Sequence, residues 1–378
     1  MRRLSRVLFP LVLPVCLVAF AVDIVVPKTD VTKKNGNFFL STVDVATPPG
    51  GLGMSIERVY NSKADFTGIF GEGWGSVYEE KLEVEDDGSL IVHEYGGGAA
   101  NAFAPTGPAI RSLNTIVAEI MGAAEKTGEF GGAVEEKAYR ARLATGHNDE
   151  WIRFRDLGLV KSPDVPVGAT FSSSRFGTQV ITRVPEGYQR QTIPVAATDT
   201  KVKFEAFDLS GRLQRVWDAD HNFIALHYDS RGRLSEMDDN LGNRFTFVFN
   251  ADGFVERITD SQGRVARYEY DGKELIKSVD ANANTYQFEY DTQYDNMIAI
   301  RYSDHSATSV TYLPYDQDEN VDTVKDRDGT FSKYTYIYKK QTDGTCLETV
   351  EVVKTKDSKQ VSDDKTDYTV DATYCPAS

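Results

Sequence analysis

A repeated unit between residues 204 and 340 constrains the fold of this chain more than any other feature. Each copy begins with aromatic-x-aromatic followed by Asp or Asn, continues with Gly-Arg-Leu or a close variant, and ends in a second Asp and a Gly. The key positions recur at intervals of 21, 21, 21, 20 and 25 residues; they are Asp208, Asp229, Asn250, Asp271, Asp291 and Asp316. Units this short bury their apolar face only by stacking on their neighbours, so a continuous repeat structure is predicted.

Each unit is expected to form one β-hairpin. The alternation of aromatic and other residues has the period of two that is typical of strands, and Asp or Asn followed by Gly supplies the turns. Stacked hairpins then form a curved sheet or partial shell. The aromatic residues pack this sheet in one interpretation; in the other, Tyr228, Tyr270, Tyr290 and Tyr315 stack against a bound glycan.

Residues 22–106 are predicted to form a β-rich domain before the repeats. Two short motifs stand out, RVYNS at residues 58–62 and FGEGW at residues 70–74. Further on, two strands flank the turn Asp86-Asp87-Gly88, which predicts a hairpin. The chain is therefore expected to be all-β on both sides of residues 107–203.

The repeat resembles the YD repeat of Rhs proteins, teneurins and the cocoon-forming subunits of insecticidal toxin complexes. The motifs at residues 58–62 and 70–74 resemble the domain that opens the repeat region in bacterial Rhs proteins. The resemblance implies a β-strip that winds into a shell, which encloses a toxin or marks a cell surface. Full-length Rhs proteins carry an Asp-Pro self-cleavage segment and a C-terminal toxin, and this sequence contains no Asp-Pro pair, so a short form is expected.

Residues 107–158 depart from the repeat and are predicted to be a helical insert. Apolar residues from Ile110 to Met121 have helical spacing that ends before Gly122, residues 133–144 hold helix formers, and Asn148 or Asp149 begins a third short helix. The insert is interpreted as a lid or plug over the sheet, or as the seat of a protein-specific function. Residues 159–203 are expected to be a β connector and residues 341–378 a C-terminal tail.

The first 21 residues have the pattern of a cleaved signal peptide. Basic residues precede an apolar stretch, and a small-x-small site follows at residues 19–21. The alternative is a retained membrane anchor, but the apolar run is shorter than the roughly 20 residues that a spanning helix needs. We therefore expect an exported protein of a Gram-negative bacterium, periplasmic or extracellular, with no stable transmembrane segment after cleavage.

Charge and cysteine content narrow the partners. Cleavage removes three arginines and no acid, which takes the net charge from −15 to −18. Nucleic acid is not an expected partner, since its binding depends on basic residues. An oxidising compartment would allow Cys346 and Cys375 to form a disulfide; two independent thiols are the alternative.

No enzyme active site and no cofactor are predicted. The five histidines form neither an HExxH motif nor a helical pair with an acid, and no nucleophile elbow or phosphate-binding loop follows a strand. The aspartates between Asp316 and Asp328 could offer oxygen ligands to Ca²⁺, but their spacing is not that of an EF-hand. A solvated acidic turn is the simpler interpretation, and no metal is assigned.

Three functions are compatible with the sequence. The first is an exported, non-enzymatic binding or scaffold protein that recognises a glycan or a protein at the cell envelope or outside the cell. The second is a truncated or accessory component of an Rhs polymorphic-toxin system. The third is a hydrolase that uses two carboxylates on the sheet, since glycosidases need only such a pair.

Overall fold

The computed structural model describes residues 27–94, 98–173, 179–193, 202–370 and Cys375, except for the side chain of Asp316. The predicted signal peptide lies outside this part of the chain. The strands are β1 Lys28–Thr32, β2 Asn37–Ala46, β3 Ser55–Asn61, β4 Thr67–Gly68, β5 Gly71–Glu72, β6 Trp74–Gly75, β7 Lys81–Val84, β8 Leu90–Glu94, β9 Ala99–Pro105, β10 Thr170–Ser173, β11 Gln179–Val184, β12 Gly187–Thr192, β13 Lys203–Asp208, β14 Leu213–Asp218, β15 Phe223–Tyr228, β16 Leu234–Asp239, β17 Arg244–Phe249, β18 Val255–Asp260, β19 Val265–Asp271, β20 Glu274–Val279, β21 Thr285–Tyr290, β22 Met297–Tyr302, β23 Ala307–Tyr312, β24 Val321–Lys325, β25 Phe331–Lys340, β26 Cys346–Lys356 and β27 Lys359–Val370. The helices are α1 Leu113–Thr127, α2 Ala133–Leu143 and α3 Asn148–Asp156.

The turns of the repeat are built by one recurring arrangement. Asp229 Oδ1 accepts the backbone N–H groups of Arg231 and Arg233, each at 2.9 Å. Gly232 between them takes a left-handed φ of 78°, which glycine adopts without steric cost. The same pair of backbone bonds is made at the turns that begin with Asp208, Asp218, Asp239, Asn250, Asp260 and Asp280. A side-chain oxygen thus fixes both turns of a unit, as the sequence predicts.

Six successive hairpins, from β13 to β24, correspond to the six repeats, and the predicted all-β fold is confirmed. Each hairpin has a register shift near the end of its first strand, and in the first five it lies one or two residues before the key Asp or Asn; in β15–β16 the shift lies between His227 and Tyr228. Such a bulge increases the twist of a strand pair. Regular bulges therefore help to curve the stacked hairpins.

The sheet extends beyond the predicted repeat region at both ends. Within the described residues it has 21 antiparallel strands, running from β7 to β27 in chain order. Strands β7 to β9, which the sequence assigned to the separate N-terminal domain, join it through the β9–β10 pair. At the other end, residues 346–370 form the long β26–β27 hairpin where a tail was expected, because Val350 and Val352 on alternate positions are buried.

The segment before β7 folds as a second, smaller sheet in the order β1-β2-β3-β6. Its side chains share one core with the repeats, in which Phe38, Tyr60 and Trp74 lie beside Phe247 and Phe288. The rings of Trp74 and Phe288 meet edge to face, with centroids 5.1 Å apart. The small sheet is thus packed against the repeat sheet and buried with it.

The helical insert has a core of its own. Ile116 and Ile120 on α1 pack with Trp151 and Phe154 on α3 in a separate apolar cluster. Helix α1 continues past Gly122 and ends at Gly128, which takes a left-handed φ of 73°, so the predicted end was six residues early. Among the described helices, none has the length and apolar character needed to span a membrane.

Candidate functional site

Three of the four tyrosines that were candidates for ligand contact lie against the core. The rings of Tyr228, Tyr270 and Tyr290 pack on the main apolar cluster. Their hydroxyls donate to the backbone carbonyls of Leu213, Val255 and Leu275, at 2.5, 2.8 and 2.9 Å. These contacts favour the packing interpretation of the three rings, and ligand contact by them stays a prediction.

The tyrosine contact is a repeated link between hairpins. Each hydroxyl bonds a carbonyl 15 residues earlier, and Tyr312 and Tyr336 make the same bond to Met297 and Val321, at 2.9 and 3.0 Å. Since the carbonyl belongs to the preceding hairpin, the ring spans two units and satisfies a polar group at the edge of the core. The aromatic position of the repeat is therefore a packing position in these five units.

Tyr315, the fourth candidate, is 72% exposed. Its ring stacks on Tyr294 with centroids 6.2 Å apart and planes at 19°. Of the four candidate tyrosines, Tyr315 is therefore the one with an exposed ring that could stack against a ligand.

The N-terminal segment contacts one repeat after another through its backbone. Val255 N donates to Ile69 O at 2.8 Å, Ala281 N to Asp44 O at 2.8 Å, and Val321 N to Gly36 O at 3.0 Å. These acceptors lie on different parts of the small sheet and its loops. The small sheet therefore holds the repeats in a fixed order and covers their inner face.

Arg58 of the RVYNS motif lies at the centre of this contact and is fully buried. Its Nη2 donates to Asp44 Oδ1 at 2.9 Å and to Ser278 Oγ at 3.1 Å, and its guanidinium lies 4.5 Å from the ring of Trp74. Burial acts to lower the pKa of Arg58, but the charge of Asp44 outweighs it and the pKa is raised. The two N-terminal motifs are thus joined through a buried ion pair with rings around it.

Tyr268 completes the same cluster from the repeat side. Its hydroxyl donates to Asp44 Oδ2 at 2.7 Å, and Trp74 Nε1 donates to the hydroxyl of Tyr290 at 3.0 Å. The N-terminal segment therefore contacts tyrosines of the repeat at both motifs. These contacts position the small sheet on the repeats.

A second buried ionic network lies at the start of the long sheet. Arg190 bonds Glu80 and Glu94, each at 2.6 Å, and also Glu205, while Lys203 lies 2.7 Å from Glu205. Burial, with the charge of Glu205, raises the pKa of Glu80 to about 8. Since these carboxylates are paired with cations of the same chain, the network ties β12 and β13 to the segment before β7.

A cleft with a volume of about 660 Å³ lies where the N-terminal segment meets the last strands. One wall comes from the loop after β1 and from Lys63; the other comes from the turn before β24 and from β25 to β27. The lining residues are Thr32, Lys34, Asn35, Lys63, Asp318, Asn320, Tyr338, Glu348, Thr369 and Val370.

The floor of the cleft carries a buried carboxylate. Glu348 is 3% exposed and accepts a hydrogen bond from the Tyr338 hydroxyl at 3.1 Å. Burial raises its pKa, against that bond and the charge of Lys34. Across the cleft, burial lowers the pKa of Lys63, opposed by Asp318 and Glu319. The cleft thus offers hydrogen-bond donors, acceptors and one aromatic ring.

Two structural features hold the walls of the cleft together. Gly36 packs on Asn320 so closely that an added Cβ would lie 2.4 Å from the Asn320 Cβ. The expected disulfide between Cys346 and Cys375 is present, and Cys346 lies opposite Val370 in the β26–β27 pair. The disulfide therefore fastens the end of the chain beside the cleft.

The cleft could not be found by motif. Its residues come from positions more than 300 apart in the sequence, and the strands that carry Tyr338 and Glu348 were assigned to the end of the repeat and to a tail.

In the acidic turn, Asp328 bonds Lys356 at 2.8 Å and Asp326 accepts from Thr29 at 3.2 Å. These aspartates therefore have partners within the chain.

Comparison with known proteins finds a family match and several similar chains. Residues 30–102 match the family described as "Domain of unknown function (DUF6531)". The chain is similar to "tRNA nuclease WapA" of Bacillus subtilis (strain 168) and to "tRNA3(Ser)-specific nuclease WapA" of Bacillus spizizenii, each at 22% identity over 285 residues. The matches cover 72% of this chain and 11% of each relative, so the chain spans about a tenth of their length.

Solved structures that are similar include "Crystal Structure of TcdB2-TccC3-Cdc42", with a TM-score of 0.30 and 13% identity over 88% of this chain and 15% of that chain. Another is "Crystal Structure of TcdB2-TccC3 without hypervariable C-terminal region", with a TM-score of 0.31 and 13% identity over 91% of this chain and 15% of that chain. The described residues form an all-β protein of stacked hairpins, and residues 30–102 within it are similar to the DUF6531 family.

Proposed function

We propose that this chain is a non-enzymatic binding and scaffold protein of the Rhs/YD-repeat type that works in the periplasm or at the cell surface, and that its cleft binds a glycan. The observation that carries the proposal is the cleft between the N-terminal segment and strands β25 to β27, whose lining combines apolar surface with hydrogen-bonding groups. Export is supported by the signal-like residues 1–21 and by the disulfide, which is stable in an oxidising compartment.

The lining of the cleft suits a saccharide. A sugar presents hydroxyls that donate and accept, together with an apolar ring face. Tyr338 supplies a ring, while Asn320 and Glu348 supply an amide and a carboxyl group. A volume of about 660 Å³ lies within the range of small-ligand sites, roughly 300 to 1,000 Å³. These properties favour a short glycan over a flat protein surface.

Glycan-array screening of the purified chain, followed by calorimetry on each hit, tests the proposal. Tyr338→Ala is expected to weaken binding at least about tenfold, and Glu348→Gln is expected to change affinity without unfolding the chain, since an amide still accepts from Tyr338. Tyr315→Ala is the matched control, because it removes an exposed tyrosine outside the cleft. Binding lost in Tyr315→Ala and kept in Tyr338→Ala would move the site to the Tyr294–Tyr315 pair and contradict the cleft assignment.

A second candidate is an accessory component of a polymorphic-toxin system. The similarity to the WapA nucleases over 285 residues supports it, because those proteins are named as tRNA nucleases and are much longer than this chain. Co-purification of the tagged chain with a longer repeat protein from the same cells would favour this function. Recovery of the chain alone, together with a glycan hit, would favour the first.

A further inference from the structure

Three side chains on the second repeat hairpin form a cluster of potential metal ligands. Among the described residues, His227, Glu236 and Asp238 are the one set of three whose ligand atoms all lie within 4.8 Å of one another. His227 Nε2 and Asp238 Oδ1 are 2.5 Å apart. An imidazole and two carboxylates therefore converge on one point.

The strand register explains the convergence. His227 on β15 pairs with Glu236 on β16, and Asp238 lies two residues further along β16. Alternate residues of a strand share a face. The adjacent residues Leu226 and Met237 lie on the opposite face and are buried in the core. The three polar side chains therefore lie together on the outer face, away from the small sheet and far from the cleft residues in the sequence.

Two later hairpins fill the positions of His227 and Glu236 with side chains that bond each other. Glu269 and Lys277 are opposite one another at 2.7 Å, and Thr311 and Thr323 bond each other at 2.7 Å. In the second hairpin no lysine or arginine takes the position between the three ligands. The outer face of this hairpin thus differs from its neighbours in having an acid-rich set with a histidine.

We propose that His227, Glu236 and Asp238 bind a divalent transition-metal ion of the Zn²⁺ class. Zn²⁺ takes imidazole nitrogen and carboxylate oxygen at about 2.0 to 2.2 Å, and three protein ligands leave its fourth position open. The imidazole ligand favours Zn²⁺ and its neighbours over Ca²⁺ or Mg²⁺, which prefer oxygen alone. Small rotations of these half-exposed side chains bring the ligand atoms to the required distances.

Two arginines nearby do not occupy the site. Arg244 pairs with Asp238 across β16 and β17, and its Nε lies 3.4 Å from Glu236 Oε1; an outer partner at this distance orients a metal ligand. Arg215, opposite Ala225, lies over the ring of Phe223, 4.2 Å from its centroid. Its charge is therefore directed away from the three ligands.

Calorimetric titration of Zn²⁺ into the metal-free full chain tests this site. One ion per chain is expected, with affinity weakened at least about tenfold in His227→Ala and in Asp238→Asn. The matched control is His93→Ala: His93 faces one carboxylate, Glu83, across a hairpin at 3.3 Å, without a third ligand. This variant is expected to bind Zn²⁺ as the parent does.

A second measurement separates a metal site from a simple His227–Asp238 ion pair. Visible absorption of the Co²⁺-loaded chain is expected to show the bands of a nitrogen–oxygen site and to lose them in His227→Ala, while thermal unfolding shows that the variant is folded. Absence of Zn²⁺ binding, or binding equal in His227→Ala and the parent, would overturn the proposal. Both experiments are independent of glycan binding in the cleft.

Discussion

The small N-terminal sheet and the helical insert are attached to the repeat sheet in different ways. The sheet shares one core with the repeats and buries the Arg58–Asp44 pair between them. The insert keeps a separate core and contacts the sheet at the turn before β8, where His147 lies 3.0 Å from Asp86 and Arg111 N donates to Asp87 O at 3.1 Å.

We therefore expect the small sheet to be necessary for the fold and the helical insert to be removable. Stacked hairpins have one apolar face that must be covered, and the small sheet covers it. The insert begins and ends at neighbouring points, since Thr106 N donates to Thr170 O at 2.9 Å. Loss of the first should unfold the chain, whereas loss of the second should leave the sheet intact.

The largest effect is expected from Arg58→Ala. The substitution leaves Asp44 buried without its cation, which costs about 3 to 5 kcal/mol in the free energy of unfolding. Arg153→Ala in the insert is the matched control: Arg153 pairs with Glu150 at 2.7 Å with its side chain 42% exposed, and such pairs contribute less than about 1 kcal/mol. Equal losses for the two variants in urea denaturation would break the comparison.

Glu79, which lies just before β7, makes the stability of the folded chain depend on pH. Burial raises its pKa to about 7 from 4.5, against hydrogen bonds from Ile69 N and Ser76 Oγ. The folded chain holds this proton more tightly than the unfolded chain, so stability is unaffected below pH 4.5, falls as the pH rises to about 7, and stays lower above it. The loss is roughly 3 kcal/mol.

Glu79→Gln mimics the protonated acid and should remove this fall, measured by urea denaturation from pH 4 to pH 8. Glu150 in the insert is the contrasting acid. Burial acts to raise its pKa, but bonds from Arg153 and Arg142 lower it overall, so Glu150→Gln should remove a small gain with rising pH instead. A pH profile of Glu79→Gln that parallels the parent would contradict the assignment.

Gly36→Ala should destabilise the chain more than Gly128→Ala. Both glycines have positive φ, 59° and 73°, where alanine costs about 1 to 2 kcal/mol. At Gly36 the new Cβ also meets Asn320 at 2.4 Å, whereas Gly128 has open space. An excess of about 1 to 3 kcal/mol is expected from this clash. Equal shifts of the two variants in thermal unfolding would show that Gly36 is not packed on the repeat.

The smallest effect is expected from excising the insert. Replacing residues 112–160 by a short glycine-serine linker should change the stability of the remaining sheet by less than about 1 kcal/mol, because loop length affects closure entropy only weakly. Circular dichroism and denaturation of the excised chain measure this. Aggregation or loss of the β signal would mean that the helices cover part of the sheet.

Local features of this fold were predictable from the sequence, and long-range ones were not. The Asp229-to-Gly232 turn is encoded within four residues, so the hairpins and their order followed directly. The direction of Tyr290 was not encoded locally, because its hydroxyl partner lies in the preceding hairpin. His227 and Asp238 meet only through a register that includes a bulge, and a search for helical spacing misses such a pair.

The same limit applied to the boundaries and the cleft. Strands β7 to β9 directly follow the N-terminal strands in the sequence, yet they pair into the long sheet through β9 and β10. Order along the chain does not determine which strands pair. Tyr338 and Glu348 join Lys63 in one cleft because the small sheet lies against the last strands. The spacing of these residues along the chain does not predict that contact.

Native-state hydrogen exchange on the full chain tests most directly whether the small sheet and the repeats form one unit. The amides of β2 and β3 should exchange with the same free energy as those of β17 to β22, and the amides of α1 to α3 should exchange with a lower one. Exchange of β2 and β3 at a much lower free energy, with β17 to β22 still protected, would contradict the account.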